Sequence, residues 1–107
     1  MKYWFINNME CKRSENNLTN VVKYVSYTRI AVELINGVEY TTQTSGTLSC
    51  PTPNLDNFIS YNQLTKEVVE GWLDQYCGVV QIDEYLDAEI NQMANPPLVI
   101  LPLPFTN

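Results

Sequence analysis

The sequence predicts an α+β fold: an antiparallel sheet built on a long β-hairpin, followed by a C-terminal αα-hairpin and an extended proline-rich tail. Three observations predict it. Asn36-Gly37 lies between two long runs of β-favouring residues, and this dipeptide tolerates the positive φ that both central positions of a type I′ turn require. Apolar residues after Leu64 recur at helical spacing in two successive segments. Residues 96–105 carry no charge and include Pro96, Pro97, Pro102 and Pro104, which suits neither a helix nor a central strand. With 107 residues, 45% of them hydrophobic and 17% charged, the chain is expected to fold as a single domain. Its parts are mainly strands over 1–53, a helical hairpin over 54–95 and the tail over 96–107.

Each element follows from local pattern. Residues 3–9, an aromatic and apolar run, read as a short strand, and residues 11–20 as a polar loop. Placing Ile35 opposite Val38 fixes the hairpin register, so that opposed residue numbers sum to a constant 73. One face then carries Val25/Leu48, Tyr27/Gly46, Arg29/Thr44 and Ala31/Thr42, with Val38 and Tyr40 nearer the turn. The other carries Ile30/Gln43, Val32/Thr41 and Leu34/Glu39, unless a β-bulge near Thr28 and Arg29 flips the register. Gly46 opposite Tyr27 fits an aromatic ring covering a glycine, or a glycine bulge. Cys50-Pro51-Thr52-Pro53-Asn54 reads as a turn or linker. Thr65 is a candidate N-cap with Glu67 in the first turn. Val68, Val69, Trp72, Leu73 and Tyr76 form one helical face, with Trp72 expected to be buried, and Gly78 is a natural stop. A second helix is expected from about Asp83, with Tyr85, Leu86, Ile90 and Met93 on one face, ending at Asn95-Pro96-Pro97.

Composition excludes several function classes. The chain has 6 Lys+Arg against 12 Asp+Glu and no histidine. A net charge of -6 argues against phosphate-driven nucleic-acid binding and against an anionic membrane as partner. Without histidine there is no Ser-His-Asp or Cys-His arrangement and no His-ligated metal. The charge is uneven: positive and negative side chains nearly balance up to residue 53, whereas Lys66 afterwards stands alone against eight acids. No export signal is expected at the N-terminus. Cys11, Cys50 and Cys77 match neither a close-paired metal motif nor an even disulfide set. They read as reduced thiols.

Candidate chemistry is weighed residue by residue. Asp83, Glu84 and Asp87 lack the spacing of a calcium loop and read as acids at a helix start. Glu70 and Asp74, four apart, read as surface charge. Cys50 and Cys77 would need a base that only lysine, carboxylate or tyrosine could supply, and read as structural thiols. The aromatic residues read as core with some interface tyrosines, because a stacking surface for single strands normally lies in a positive groove. No catalytic set, cofactor or metal site is expected.

The residues also carry a resemblance. The order is Trp4-Phe5-Ile6, then Val21-Val22, Val25 and Tyr27, Gly46-Thr47-Leu48, and Pro51 with Pro53. Phe58-Ile59, Tyr61, Leu64-Thr65, Val68/Val69 and Trp72-Leu73 follow, then Ile90, Met93, Pro96-Pro97 and Pro102-Leu103-Pro104-Phe105. This resembles a family of short proteins encoded by tailed bacteriophages, those of marine cyanobacteria included. Tyr27 and Phe105 stand where tryptophan would be usual. The resemblance implies a non-enzymatic structural or assembly protein, an accessory of capsid, neck or tail, made in the host cytoplasm and placed in the virion. Its partners would be other phage structural proteins or copies of itself, with no direct nucleic acid and no membrane. An alternative is an acidic inhibitor of a host defence or nucleic-acid enzyme, using the acidic helices to mimic phosphates. The candidate interaction residues are Ile30, Val32 and Leu34 on the hairpin, and Leu98, Val99, Ile100, Leu101, Leu103 and Phe105 in the tail. Pro102 and Pro104 delete N–H groups on one side only, so the tail is expected to be a one-sided edge strand.

Overall fold

The computed structural model describes residues 1–51 and 58–107. Three antiparallel strands, β1 (Lys2–Glu15), β2 (Leu18–Ile35) and β3 (Val38–Ser49), form a sheet in the order β1-β2-β3. A single 3-10 turn (Tyr61–Gln63) leads into α1 (Lys66–Tyr76) and α2 (Val79–Ala94). The fold class is the expected one, an α+β chain of long hairpin strands followed by two helices. The predicted linker from Cys50 to Asn54, and the change from strands to helices near residue 53, fall largely on residues 52–57, outside the described residues.

The β2–β3 register holds without interruption from Tyr24↔Ser49 to Ile35↔Val38. Asn36 and Gly37 take φ of 52° and 80°, as a type I′ turn needs. No bulge lies near Thr28 and Arg29 on that side. The irregularities are between β1 and β2, at Ile6/Asn8 and Glu10/Cys11. The first leaves Asn7 unpaired, its amide donating to the Thr28 hydroxyl at 3.1 Å. The second shifts the alternation so that Val22 joins Val25 in the core. Gly46 lies in regular strand, and the Tyr27 ring covers it: a Cβ there would sit 2.5 Å from the phenol oxygen.

Two expectations are corrected along the chain. Residues 11–20 are not a loop: β1 and β2 run on through them and meet at a second tight turn, with Asn16 and Asn17 at φ 50° and 66°. Asparagine is one of the few non-glycine residues that occupy this region readily. The polar side chains that suggested a loop lie along this two-stranded ribbon, where Lys12, Arg13 and Ser14 are exposed. The second helix starts at Val79 rather than near Asp83, because Gly78 at φ 64° ends α1 and serves directly as N-cap of α2. Thr65 caps α1 as expected, accepting from the Val68 amide at 3.3 Å.

Both helices lie on one face of the sheet. Val69 and Leu73 of α1 are buried against Trp4, Val22 and Val25. Leu86 and Ile90 of α2 are buried with Ala31, flanked by Ile35 and Tyr40. Trp72 is only half-buried at the margin of the first cluster, while Tyr76, Tyr85 and Met93 are exposed. The smaller branched side chains fit closest to the sheet, and the wider rings are left at the flanks. Between the clusters, Arg29 bonds Asp83 through two nitrogens at 3.0 and 3.2 Å and lies 4.6 Å from the Trp4 ring centroid. The Trp4 indole N–H donates to Asp74 at 2.7 Å, and Lys2 meets Asp87 at 2.8 Å. Two acids of the helical half, Asp83 and Asp87, are thus drawn onto cations of the sheet.

Candidate interaction surfaces

Among the described residues, no helix lies on the opposite face of the sheet. On it lie Tyr3, Phe5, Ile30, Val32 and Leu34, because β1 pairs Tyr3 with Ile30 and Phe5 with Thr28. Phe5 is 56% exposed and Leu34 73%. Ile30 and Val32 are half-buried by their neighbours along the ribbon. A polar row interrupts this strip toward the middle, where the Thr28 hydroxyl meets Ser45 at 2.8 Å as well as Asn7. The hairpin therefore presents Ile30, Val32 and Leu34 on the open side, extended by two β1 aromatics that the sequence pattern did not single out. Pairing Trp4-Phe5-Ile6 with β2 requires the fold, since nothing local says which of the three faces the helices.

Sheet edges differ in chemistry. β1 carries Lys2, Glu10, Lys12, Arg13 and Glu15, and its pairing with β2 is interrupted twice. Charges and bulges of this kind discourage a further strand. β3 is regular along its whole length, has no proline, and carries Glu39 as its one charge. In a two-residue hairpin the residues flanking the turn exchange both backbone hydrogen bonds. Even-numbered β3 residues therefore bond to β2, and the Cys50 amide continues this ladder to the Lys23 carbonyl at 2.8 Å. The N–H and C=O groups of Thr41, Gln43, Ser45 and Thr47 point away from the sheet.

Past Asn95 the tail forms neither helix nor strand. Leu98, Val99, Ile100, Leu101, Leu103 and Phe105 are between 61% and 98% exposed. The tail and the hairpin strip are separate surfaces.

A groove of about 620 Å³ lies at the far end of the sheet, between Val22, Leu48, Phe58, Leu64, Trp72 and Tyr76. Its described lining carries no charged side chain. Burial pushes the thiols of Cys11, Cys50 and Cys77 above their ordinary value, with a hydrogen bond from Tyr27 partly opposing this at Cys77. A raised thiol pKa leaves less thiolate, the opposite of an activated nucleophile. Asp83 and Asp87 are engaged by Arg29 and Lys2. Among the described residues no cluster of three His, Cys, Asp or Glu side chains is arranged to hold a metal ion, and no helix is long and apolar enough to cross a membrane.

These features define a class of small α+β protein, with one sheet covered by helices on one face and open on the other. A family model described as a domain of unknown function (DUF7936) matches residues 2–105, and the chain belongs to that family. The match includes the tail. No curated protein and no solved structure matches the chain.

Proposed function

We infer that the chain is a non-enzymatic structural or assembly protein that works through protein contacts, an accessory of a phage particle in capsid, neck or tail. The observation that carries the reading is the pairing of an open, partly apolar sheet face with a charge-free exposed tail. Single exposed apolar residues are ordinary on a monomer, whereas contiguous strips mark contact surfaces. Val32 lies centrally on the strip. Val32→Lys is expected to keep the fold, read by circular dichroism and melting temperature, while weakening association with the partner. A large loss of stability in the isolated chain would instead make this face part of the core. The particle assignment rests on the sequence resemblance, and mass spectrometry of purified virions tests it. Stoichiometric presence supports the reading, and absence removes it. Phosphate mimicry has less support, since Asp83, Asp87 and Glu89 are each engaged by a sheet residue.

A further inference from the structure

We propose that residues 99–105 of a second copy of this chain add as a fourth strand to the outer edge of β3, which pairs with no other strand among the described residues. The proposal rests on the assembly reading above and names one partner for it. In an extended chain, backbone groups two residues apart point the same way. Val99, Leu101, Leu103 and Phe105 keep their N–H groups on one side, and Pro102 and Pro104 have lost theirs on the other. The tail can hydrogen-bond along one edge only. β3 offers the matching set, since Thr41, Gln43, Ser45 and Thr47 direct their backbone groups outward at the same two-residue spacing.

The alternatives are disfavoured by geometry and charge. β1, the other edge, is charged and twice interrupted. The chain's own β3 is poorly placed for its own tail. α2 runs from Ile82, at the first core cluster, past Ala31 toward the Asn36-Gly37 turn, and Gln92 and Met93 lie beside Thr41 and Thr42. A tail continuing in that direction has only Val38 to Thr41 left to pair with, roughly 13 Å of strand, whereas residues 99–105 span roughly 23 Å. The backbone does bend at Asn95 and Pro97, yet the tail beyond them forms no strand and pairs with none. Two copies that each carry a net charge of -6 repel, and this contact joins the two segments where charge is nearly absent. The proline edge of the added strand then faces outward and blocks a fifth.

Sedimentation velocity and backbone amide exchange on the full chain test the proposal, beside a variant lacking residues 98–107 and the variant Gln43→Pro. Gln43 directs its N–H outward, so proline there removes a donor that β2 does not use. The full chain is expected to self-associate. Both variants should remain folded and lose that association by more than about tenfold in Kd. On association the amides of Thr41, Gln43, Ser45 and Thr47 should slow, while those of Thr42 and Thr44 are slow already. Should Gln43→Pro fail to fold, a peptide of residues 96–107 added to the truncated chain must protect the same four amides. A full chain that stays monomeric at its highest soluble concentration overturns the proposal, as does association that survives truncation. Protection of the tail and of β3 in a monomer, independent of concentration, also overturns it by showing an internal strand. A monomeric chain found stoichiometrically in particles would sink this contact and leave the proposed function standing. Self-association through the arm by a chain absent from particles would do the reverse.

Discussion

Tyr27 and Gly46 set the tightest packing constraint in the sheet. The Tyr27 ring stands edge-on to Trp4 at 5.3 Å between centroids, so it cannot swing aside freely when a side chain is placed on Gly46. Gly46→Val is expected to cost roughly 1 to 3 kcal/mol as an overpacking change, read from the urea midpoint. This pair was legible in the sequence because register alone placed the two residues opposite each other. The order of burial along α1 was not: periodicity gives the face, but only the gap above Val25 decides that Leu73 fills it and Trp72 does not. Leu73→Ala should therefore cost about 2 to 5 kcal/mol and exceed Trp72→Ala. The reverse order in denaturant titrations would show that the groove beside Trp72 is closed. Glu89 accepts from Thr42 at 2.6 Å and from Tyr85 at 2.5 Å. Both bonds hold its carboxyl below the ordinary value, and the bond to Glu89 raises the Tyr85 phenol. A lowered carboxyl contributes stability that is present above its unfolded pKa and lost as pH falls through its folded one. The Thr42 tether should therefore persist at neutral pH and loosen only below the usual carboxylate range. Glu89→Gln is expected to bring the Tyr85 phenol back down toward its ordinary value in an NMR titration, and an unmoved value would show the bond to be absent in solution.

At the level of elements, α2 is fastened to the sheet by charge as well as by Leu86 and Ile90. Arg29 is largely covered, and Asp83 meets it through both carboxylate oxygens. Asp83→Asn leaves the guanidinium facing a neutral amide and is expected to cost roughly 1.5 to 3 kcal/mol, measured by thermal or chemical unfolding. A change of a few tenths would show that water replaces the carboxylate. The acidic imbalance of the second half was plain in the sequence, but its meaning was not. Acids at a helix start look like dipole partners until the helix is seen to begin at Val79, which puts Asp83 past the first turn and over Arg29. β1 was hidden for a related reason. Polar and charged residues from Cys11 to Glu15 carry no apolar alternation, because a ribbon projecting beyond the helices has little core to face. The long hairpin was readable throughout, since Asn36-Gly37 fixes a register that strict alternation then carries outward.

For the whole molecule, the chain has a radius of gyration of 20.3 Å, against about 13 Å for a compact chain of this length. Small-angle scattering from dilute protein is expected to return the larger value, and truncation at residue 98 should reduce it while leaving the unfolding midpoint within about 0.5 kcal/mol of the full chain. A compact profile would mean that the tail folds back. Proline positions made the one-sided character of the tail legible, whereas the edge available to it depended on bulges that no local signal in β1 announces. The principal extents are 77 × 26 × 19 Å, and the two asparagine turns stand at opposite ends of β2. At about 3.3 Å per residue, an 18-residue strand sets those turns roughly 60 Å apart. The length of such a body is quantised. Adding two residues to each strand would lengthen it by roughly 7 Å with every face preserved, whereas adding one would exchange the covered face for the open one.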